Sequence, residues 1–161
     1  MVDTDGKSPI LVPIDFSSHS EEALVFAMDL AKCLEIPVVV LHVVHDPGDS
    51  PGFYAGKTGE GGVKRMEDVA KEMMIEFIEN FPGKHPQCPP IANITTMLRV
   101  GLPVTRILEV VDTVNARMVV MGSLGRTGLK HILIGSKAEQ VVRMCPVPVT
   151  IVKHRKGEAD D

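Results

Sequence analysis

The sequence predicts an open, doubly wound α/β fold in which helices cover both faces of a mostly parallel five-stranded sheet. Five short, apolar, β-branched runs recur along the chain, and amphipathic helical patterns lie between them. Runs this apolar are typical of strands buried on both faces, and hence of a parallel sheet. The chain has 161 residues, of which 44% are hydrophobic, which is enough for one core. We therefore predict a single domain over residues 1–161, with a folded core at about residues 8–154.

The first two strands and the helix between them form a predicted βαβ unit. Apolar residues recur at helical spacing from Ala23 to Leu34, and Ser18 with Glu21 three places on is a capping box. His42, in the middle of the second strand, is expected to be packed or hydrogen bonded inside. The five strands are expected at residues 10–14, 37–44, 94–98, 116–122 and 147–152.

Three further helices follow from the same periodicity. The second has apolar positions from Val63 to Phe81, and its methionines suit either core filling or a groove for a partner. The third runs over residues 104–114, with Pro103 suited to its first turn. A second capping box, Ser136 with Glu139, begins a short fourth helix.

A long connection rich in glycine and proline occupies residues 47–62. We predict a mobile loop there, which is either a plain insertion or a cover for a crevice at the end of the second strand. Its segment "GFYAGKT", Gly52 to Thr58, resembles a phosphate-binding P-loop, but three residues rather than four separate its glycines and no helix pattern follows directly. We do not predict a P-loop.

Composition excludes several classes of function. The formal net charge is -4, with acids and bases scattered along the chain, so we predict no nucleic-acid partner. No apolar run approaches the roughly 20 residues of a membrane helix, and the amino end lacks a signal-peptide pattern, so we expect a cytoplasmic protein and no membrane partner. The three cysteines form no CxxC pair. His85 and Cys88 could supply two metal ligands, but two more are missing nearby.

Glycines follow the fourth strand, where a doubly wound sheet binds its ligands. Gly122 and Gly125 allow unusual backbone dihedrals and close approach of N–H groups to an anion. Gly135 and Ser136 then open a helix, and a helix amino end also attracts anions. The spacing predicts a phosphate chain lying between the glycine turn and the helix start; the alternative is that the glycines serve only to permit tight turns.

At these residues the sequence resembles the universal stress protein family, from about Ile10 to Lys153. The ATP-binding branch of that family carries glycine, two residues, glycine, nine residues, glycine and serine or threonine. This chain has that pattern at Gly122, Gly125, Gly135 and Ser136. The segments "VPIDFS" and "LHVV" extend the resemblance. It implies a Rossmann-like sheet of the adenine nucleotide alpha hydrolase type.

The resemblance also implies an ATP site. Asp15 would lie against the nucleotide, Val43 would offer backbone polar groups to adenine, and the glycine pattern with Arg126 would line the ribose and phosphates. The predicted cofactor-binding residues are Pro13, Ile14, Asp15, Val43, Met121, Gly122, Ser123, Gly125, Arg126, Gly135, Ser136 and Lys137.

Alternatives remain open for individual residues. Asp15 could cap the first helix or contact ribose or magnesium. A carboxylate facing a triphosphate requires a cation or hydroxyl between them, which favours ATP bound with Mg. Arg126 could bind phosphate or be a solvated surface residue. His131 is a general base by chemical type, but no spacing places a nucleophile and an orienting carboxylate beside it, so no catalytic residue is predicted.

Three functions are consistent with these observations. The favoured one is a dimeric signalling module that binds ATP and reports stress or energy state. The others are a slow ATPase and a nucleotide-free dimeric scaffold. A homodimer is predicted through the final strand, Val147 to His154, because an apolar edge strand is stabilised by pairing and the resembled family commonly dimerises there. The stress signal and the downstream protein partner cannot be read from the sequence.

Overall fold

The computed structural model describes residues 6–45, 65–88, 94–125 and 134–153. The predicted loop at 47–62, together with Val63, Arg126, His131 and His154, lies outside the described residues. Within the described ranges, strands and helices alternate along the chain as β1 Ile10–Ile14, α1 Ser18–Leu34, β2 Val38–Val44, α2 Met66–Lys84, β3 Ile94–Val100, α3 Pro103–Thr113, β4 Met118–Gly122, α4 Ser136–Met144 and β5 Val149–Val152.

The five strands form one sheet in the order β3-β2-β1-β4-β5, and every neighbouring pair is parallel. The predicted α/β fold class is therefore confirmed. The chain moves outward from β1 through β2 to β3, and then places β4 on the other side of β1. Because the winding direction reverses between β1 and β4, a crevice opens beyond the carboxyl ends of these two strands.

Alternate side chains along the strands enter buried clusters on opposite faces of the sheet. On one face, Leu11 and Leu41 are fully buried in a cluster with residues of α3 and α4. On the other face, Val12 and Val40 are fully buried in a cluster with residues of α1 and α2. Every residue of β2 is buried, which explains why its run reads as continuously apolar rather than alternating.

The methionines of α2 fill the core rather than line a partner groove. Met73 and Met74 are buried, and Met74 packs in the same cluster as Leu24 of α1. Met66 differs, because it is exposed at the first turn of the helix. Pro103 occupies the first turn of α3, as predicted, where its missing N–H is not needed for a helical hydrogen bond.

Both predicted capping boxes are wrong. Ser17, not Ser18, caps α1, since its hydroxyl accepts a hydrogen bond from the Ser20 N–H at 3.3 Å. In α4, Gly135 is the cap residue and Ser136 is the first helical residue, so no side chain caps that helix. The physical reason in α4 is position, because a hydroxyl inside the first turn does not have the extended backbone of a cap residue.

Candidate functional site

A cleft lies at the carboxyl ends of β1, β2 and β4 and at the first turns of α1, α3 and α4. It holds about 1020 Å³ of space, including the solvent at its open mouth. Eleven of the twelve predicted site residues line it together: Pro13, Ile14, Asp15, Val43, Met121, Gly122, Ser123, Gly125, Gly135, Ser136 and Lys137. Arg126, the twelfth, lies outside the described residues. The structure thus brings these residues to one place, while their binding roles stay predictions.

Sequence reasoning missed eight residues that also line the cleft. Two of them, Leu41 and His45, are two places before and after Val43, so the period-two alternation of a strand could have identified them. Ser20 and Ile107 come from helices whose inward face is set by tertiary packing. The missed residues are Ser20, Leu41, His42, His45, Pro103, Ile107, Leu124 and Ala138.

Asp15 organises the turn that joins β1 to α1. Its Oδ1 accepts hydrogen bonds from the Ser17 N–H at 3.1 Å and from the Ser17 hydroxyl at 2.5 Å. Its own N–H donates to the Ser20 hydroxyl at 3.4 Å. Phe16 between them has a left-handed φ of 63°, which turns the chain sharply and is uncommon for a bulky residue. Asp15 therefore supports the helix cap from outside the helix while its carboxylate faces the cleft.

Close packing, rather than an unusual dihedral, explains the glycine at the end of β4. Among the described glycines only Gly6 and Gly101 have positive φ, so Gly122 and Gly125 do not use the unusual dihedrals that the sequence allowed them. A Cβ on Gly122 would lie 2.7 Å from the backbone oxygen of His19, in the first turn of α1. Gly122 is therefore required by the contact between β4 and α1.

The other two glycines differ from Gly122. A Cβ on Gly125 would lie 3.0 Å from Oδ2 of Asp15, so this glycine keeps the space beside the carboxylate clear. A Cβ on Gly135 would make only an ordinary contact, 3.6 Å from the backbone oxygen of Ser123. The Gly135 N–H donates to that same oxygen at 2.7 Å, and this bond ties the start of α4 to the end of β4.

The amino end of α4 forms one wall of the cleft. The first helical bond runs from the Glu139 N–H to the Gly135 oxygen, and no side chain caps the helix. The preceding N–H groups belong to Ser136, Lys137 and Ala138, all of which line the cleft. N–H groups of this kind, together with the partial positive charge of a helix amino end, are typical of anion sites, which is why the predicted position of the phosphates is at this wall.

Two histidines lie on the β2 side. His42 is buried, and its Nδ1 donates to the Ile14 oxygen at 2.8 Å, which confirms the predicted internal hydrogen bond. Its ring packs on Phe16, with ring centroids 4.3 Å apart. His45 follows β2; its Nδ1 donates to the Val43 oxygen at 3.0 Å, and its Nε2 accepts from Lys137 Nζ at 3.3 Å.

The pair with metal-ligand residue types, His85 and Cys88, does not line the cleft. His85 Nε2 bonds to Glu21 Oε1 at 2.8 Å. Burial, and secondarily the charge of Asp29, raises the pKa of the Cys88 thiol, which disfavours the thiolate that a metal requires. Throughout the described residues, no group of three or more His, Cys, Asp or Glu side chains is placed to hold a metal ion. The helices in those same ranges include none that is long and apolar enough to cross a membrane.

Comparison with known proteins identifies relatives over almost the whole chain. The model of the universal stress protein family matches residues 8–153. A universal stress protein of Methanocaldococcus jannaschii is 32% identical over 149 residues, covering 92% of this chain and 84% of that protein.

Two solved structures share the fold. A universal stress protein from Archaeoglobus fulgidus in complex with dAMP has a TM-score of 0.62 and 25% identity, covering 91% of this chain and 98% of that one. A universal stress protein in complex with cAMP has a TM-score of 0.62 and 20% identity, covering 91% of this chain and 96% of that one.

Proposed function

This chain belongs to the universal stress protein family, and from that premise we propose that its cleft binds an adenine nucleotide, ATP. The observation that carries the proposal is the placement of the glycine pattern. Gly135 and Ser136 form the uncapped amino end of α4, and Gly125, which lines the same cleft, lies beside the carboxylate of Asp15. These features suit the three parts of a nucleotide. The helix end suits the phosphates, the carboxylate suits the ribose, and the apolar wall of the cleft suits the base.

The residues have separate roles in this proposal. The phosphate chain lies at the first turn of α4, where backbone N–H groups are available, and Arg126 contributes a positive charge. Adenine lies against the apolar wall that includes Leu41 and Ile107, with the backbone of Val43 at its polar edge. The A. fulgidus relative in complex with dAMP supports the choice of an adenine nucleotide.

Magnesium accompanies ATP in this proposal. Oδ1 of Asp15 accepts two hydrogen bonds from Ser17, and Oδ2 lies on the Gly125 side of the carboxylate. We assign the contact with a cation or a ribose hydroxyl to this carboxylate because it lines the cleft. Mg²⁺ in nucleotide sites is commonly held by one or two carboxylates together with phosphate oxygens. Asp15 therefore fits a shared site completed by the nucleotide. A second carboxylate is not among the described residues that line the cleft.

We infer a binding and signalling role for the protein, as a homodimer that responds to stress or energy state. The uncharged apolar wall and the helix end bind a nucleotide without activating a nucleophile, and binding alone does not accelerate cleavage. The alternatives are a slow ATPase and a nucleotide-free scaffold. Mass spectrometry of the purified, denatured protein separates the scaffold from the other two, because only a nucleotide-binding protein releases an adenine nucleotide.

Gly125→Val tests the site. Its branched side chain would meet Oδ2 of Asp15 and fill the space beside the helix end, so calorimetric titration should give an affinity for ATP at least about tenfold weaker. Gly122 is unsuitable, because a side chain there strikes the backbone of α1. The matched control is Gly83→Val on α2, where a Cβ would meet nothing within 4 Å. Equal affinity in the Gly125 variant and the parent would place the site elsewhere.

Hydrolysis of bound ATP should be far slower than the median enzyme rate of about ten per second. The physical reason is that Asp15, the one carboxylate among the described residues of the cleft, accepts hydrogen bonds from Ser17 and so supports the cap of α1, a structural role that does not require it to activate water. A phosphate-release assay with magnesium measures the rate. Brisk turnover that disappears in Asp15→Asn, with ATP still bound, would assign the protein to the enzymes.

A further inference from the structure

A side-chain bridge crosses the cleft between two of its walls. His45 stands just beyond β2, and Lys137 stands in the first turn of α4. Lys137 Nζ lies 3.3 Å from His45 Nε2, and His45 Nδ1 lies 3.0 Å from the Val43 oxygen. Both side chains line the cleft, so the bridge adjoins whatever the cleft binds. Neither residue belongs to the glycine pattern.

The chemistry of the two contacts fixes the protonation of His45. A carbonyl oxygen only accepts, so Nδ1 carries a hydrogen, and an ammonium only donates, so Nε2 presents its lone pair. The bridge therefore requires a neutral imidazole. A proton on Nε2 would remove the acceptor and set two positive charges about 3.3 Å apart.

The other ionisable groups around the bridge do not replace either partner. Among the described residues that line the cleft, they are Asp15 at the end of β1 and His42 within β2. Asp15 is bonded to Ser17, and His42 is bonded to the Ile14 oxygen. The described lining residues of α1, α3 and β4 are uncharged. The amino end of α4 adds only partial positive charge.

We propose that His45 and Lys137 form a proton-linked anion site that recognises the phosphate groups of the bound nucleotide. This inference rests on the proposed function. A phosphate group takes the Lys137 ammonium from His45, because a hydrogen bond between two charged groups is shorter and about twice as strong as one between neutral groups. His45 then takes up a proton from solvent at Nε2 and becomes a second cation beside the anion.

Two consequences distinguish this arrangement from one in which His45 and Lys137 line the cleft without binding phosphate. Nucleotides that carry phosphate gain affinity from the pair, whereas adenosine, which has no charge, does not. Affinity for phosphate-bearing nucleotides also rises as pH falls, because the bound state holds one proton more on His45 than the free state.

Calorimetric titrations with ATP and with adenosine at about pH 8 and about pH 6 test the proposal. The proteins are the parent, His45→Gln, Lys137→Gln and the control Arg143→Gln, which removes a charge from the exposed far end of the same helix. The parent should gain about fivefold or more ATP affinity on acidification relative to His45→Gln, and no more than about a hundredfold, because one linked proton changes affinity by at most about tenfold per pH unit. ATP's own titration is common to every protein and cancels in that comparison.

Lys137→Gln should weaken ATP binding by about five- to tenfold at about pH 8 and leave adenosine binding unchanged. Repeating the parent titration in two buffers of different ionisation heat should show net proton uptake that is absent in His45→Gln. Identical pH profiles in the parent and His45→Gln, or equal losses for ATP and adenosine in Lys137→Gln, would overturn the inference while the nucleotide site stands. If neither ligand binds the parent, the proposed function itself fails.

Discussion

At the scale of single residues, the same amino acid serves different purposes within one motif. Gly122 is needed because the backbone of α1 occupies the place of its side chain, whereas Gly125 leaves room beside the Asp15 carboxylate. The sequence pattern could identify these glycines as members of a site. It could not separate packing from binding, because His19, the residue that Gly122 meets, is far away along the chain.

Gly122→Ala should lower the free energy of unfolding by about 1–3 kcal/mol, the usual cost of forcing extra atoms into a packed interior. The added Cβ would lie 2.7 Å from a backbone oxygen that cannot rotate away. Gly83→Ala is the opposite case, since it adds a Cβ in open space near the end of α2 and should raise stability by about 0.5–1 kcal/mol.

Urea unfolding of both variants and the parent gives the comparison. A Gly122→Ala protein as stable as the parent would mean that β4 and α1 separate at no cost, and the packing explanation would be wrong.

At the scale of elements, the sequence predicted each of the five strands and four helices found in the described ranges. The apolar runs predicted the strands because both faces of the inner strands are covered. Consecutive residues are then buried, and the sequence of the strand is apolar at almost every position. The predicted third strand ended at residue 98, whereas β3 extends to Val100. Its last residues Arg99 and Val100 are exposed at the edge of the sheet, so their side chains carry no burial signal.

The start of α1 shows why caps were harder to predict than elements. The segment "FSSHS" offers three serines, and each could cap a helix by residue type. The choice of Ser17 is made by the left-handed turn at Phe16 and by the bond from Ser17 to Asp15. Both features depend on backbone geometry at the end of β1, which local sequence preferences do not specify.

Ser17→Ala should therefore destabilise the protein by about 0.5–2 kcal/mol, because it removes the cap of α1. It also removes a hydroxyl that holds Asp15, so ATP affinity should fall with it. Ser18→Ala is the matched control. Because Ser18 is exposed within the first turn, the free energy of unfolding of this variant should be within about 0.5 kcal/mol of that of the parent. Thermal unfolding with calorimetric ATP titration measures both effects. Equal losses in the two variants would contradict the assignment of the cap.

At the scale of the whole molecule, strand order explains why eleven predicted residues meet in one cleft. They come from the ends of β1, β2 and β4 and from α4, which are separated along the chain and adjacent only in the order β3-β2-β1-β4-β5. The general rule for parallel sheets predicted this edge from the sequence. The rule does not say which helix residues project into the crevice, so Ser20 and Ile107 were not predicted.

The same strand order leaves β5 at an edge, and its hydrogen-bonding groups point in two directions. The oxygens of Pro148 and Val152 accept bonds from β4 and its following residue, so these positions face inward. By the alternation of a strand, Thr150 also faces β4, while the backbone groups of Val149, Ile151 and Lys153 face outward. These outward groups are the ones that a second copy of the chain could pair with.

We expect the protein to form a homodimer by twofold antiparallel pairing of β5, because an unpaired edge of valine and isoleucine favours association and each copy offers the same strand. Ile151→Pro removes an outward N–H, so the dimer dissociation constant should rise by more than about tenfold. Because Ile151 also packs on the core, Lys153→Pro provides a second variant at an exposed outward position. Sedimentation equilibrium gives the constants, and circular dichroism checks the fold. A monomeric parent at micromolar concentration, or folded variants that dimerise as the parent does, would exclude this edge as the interface.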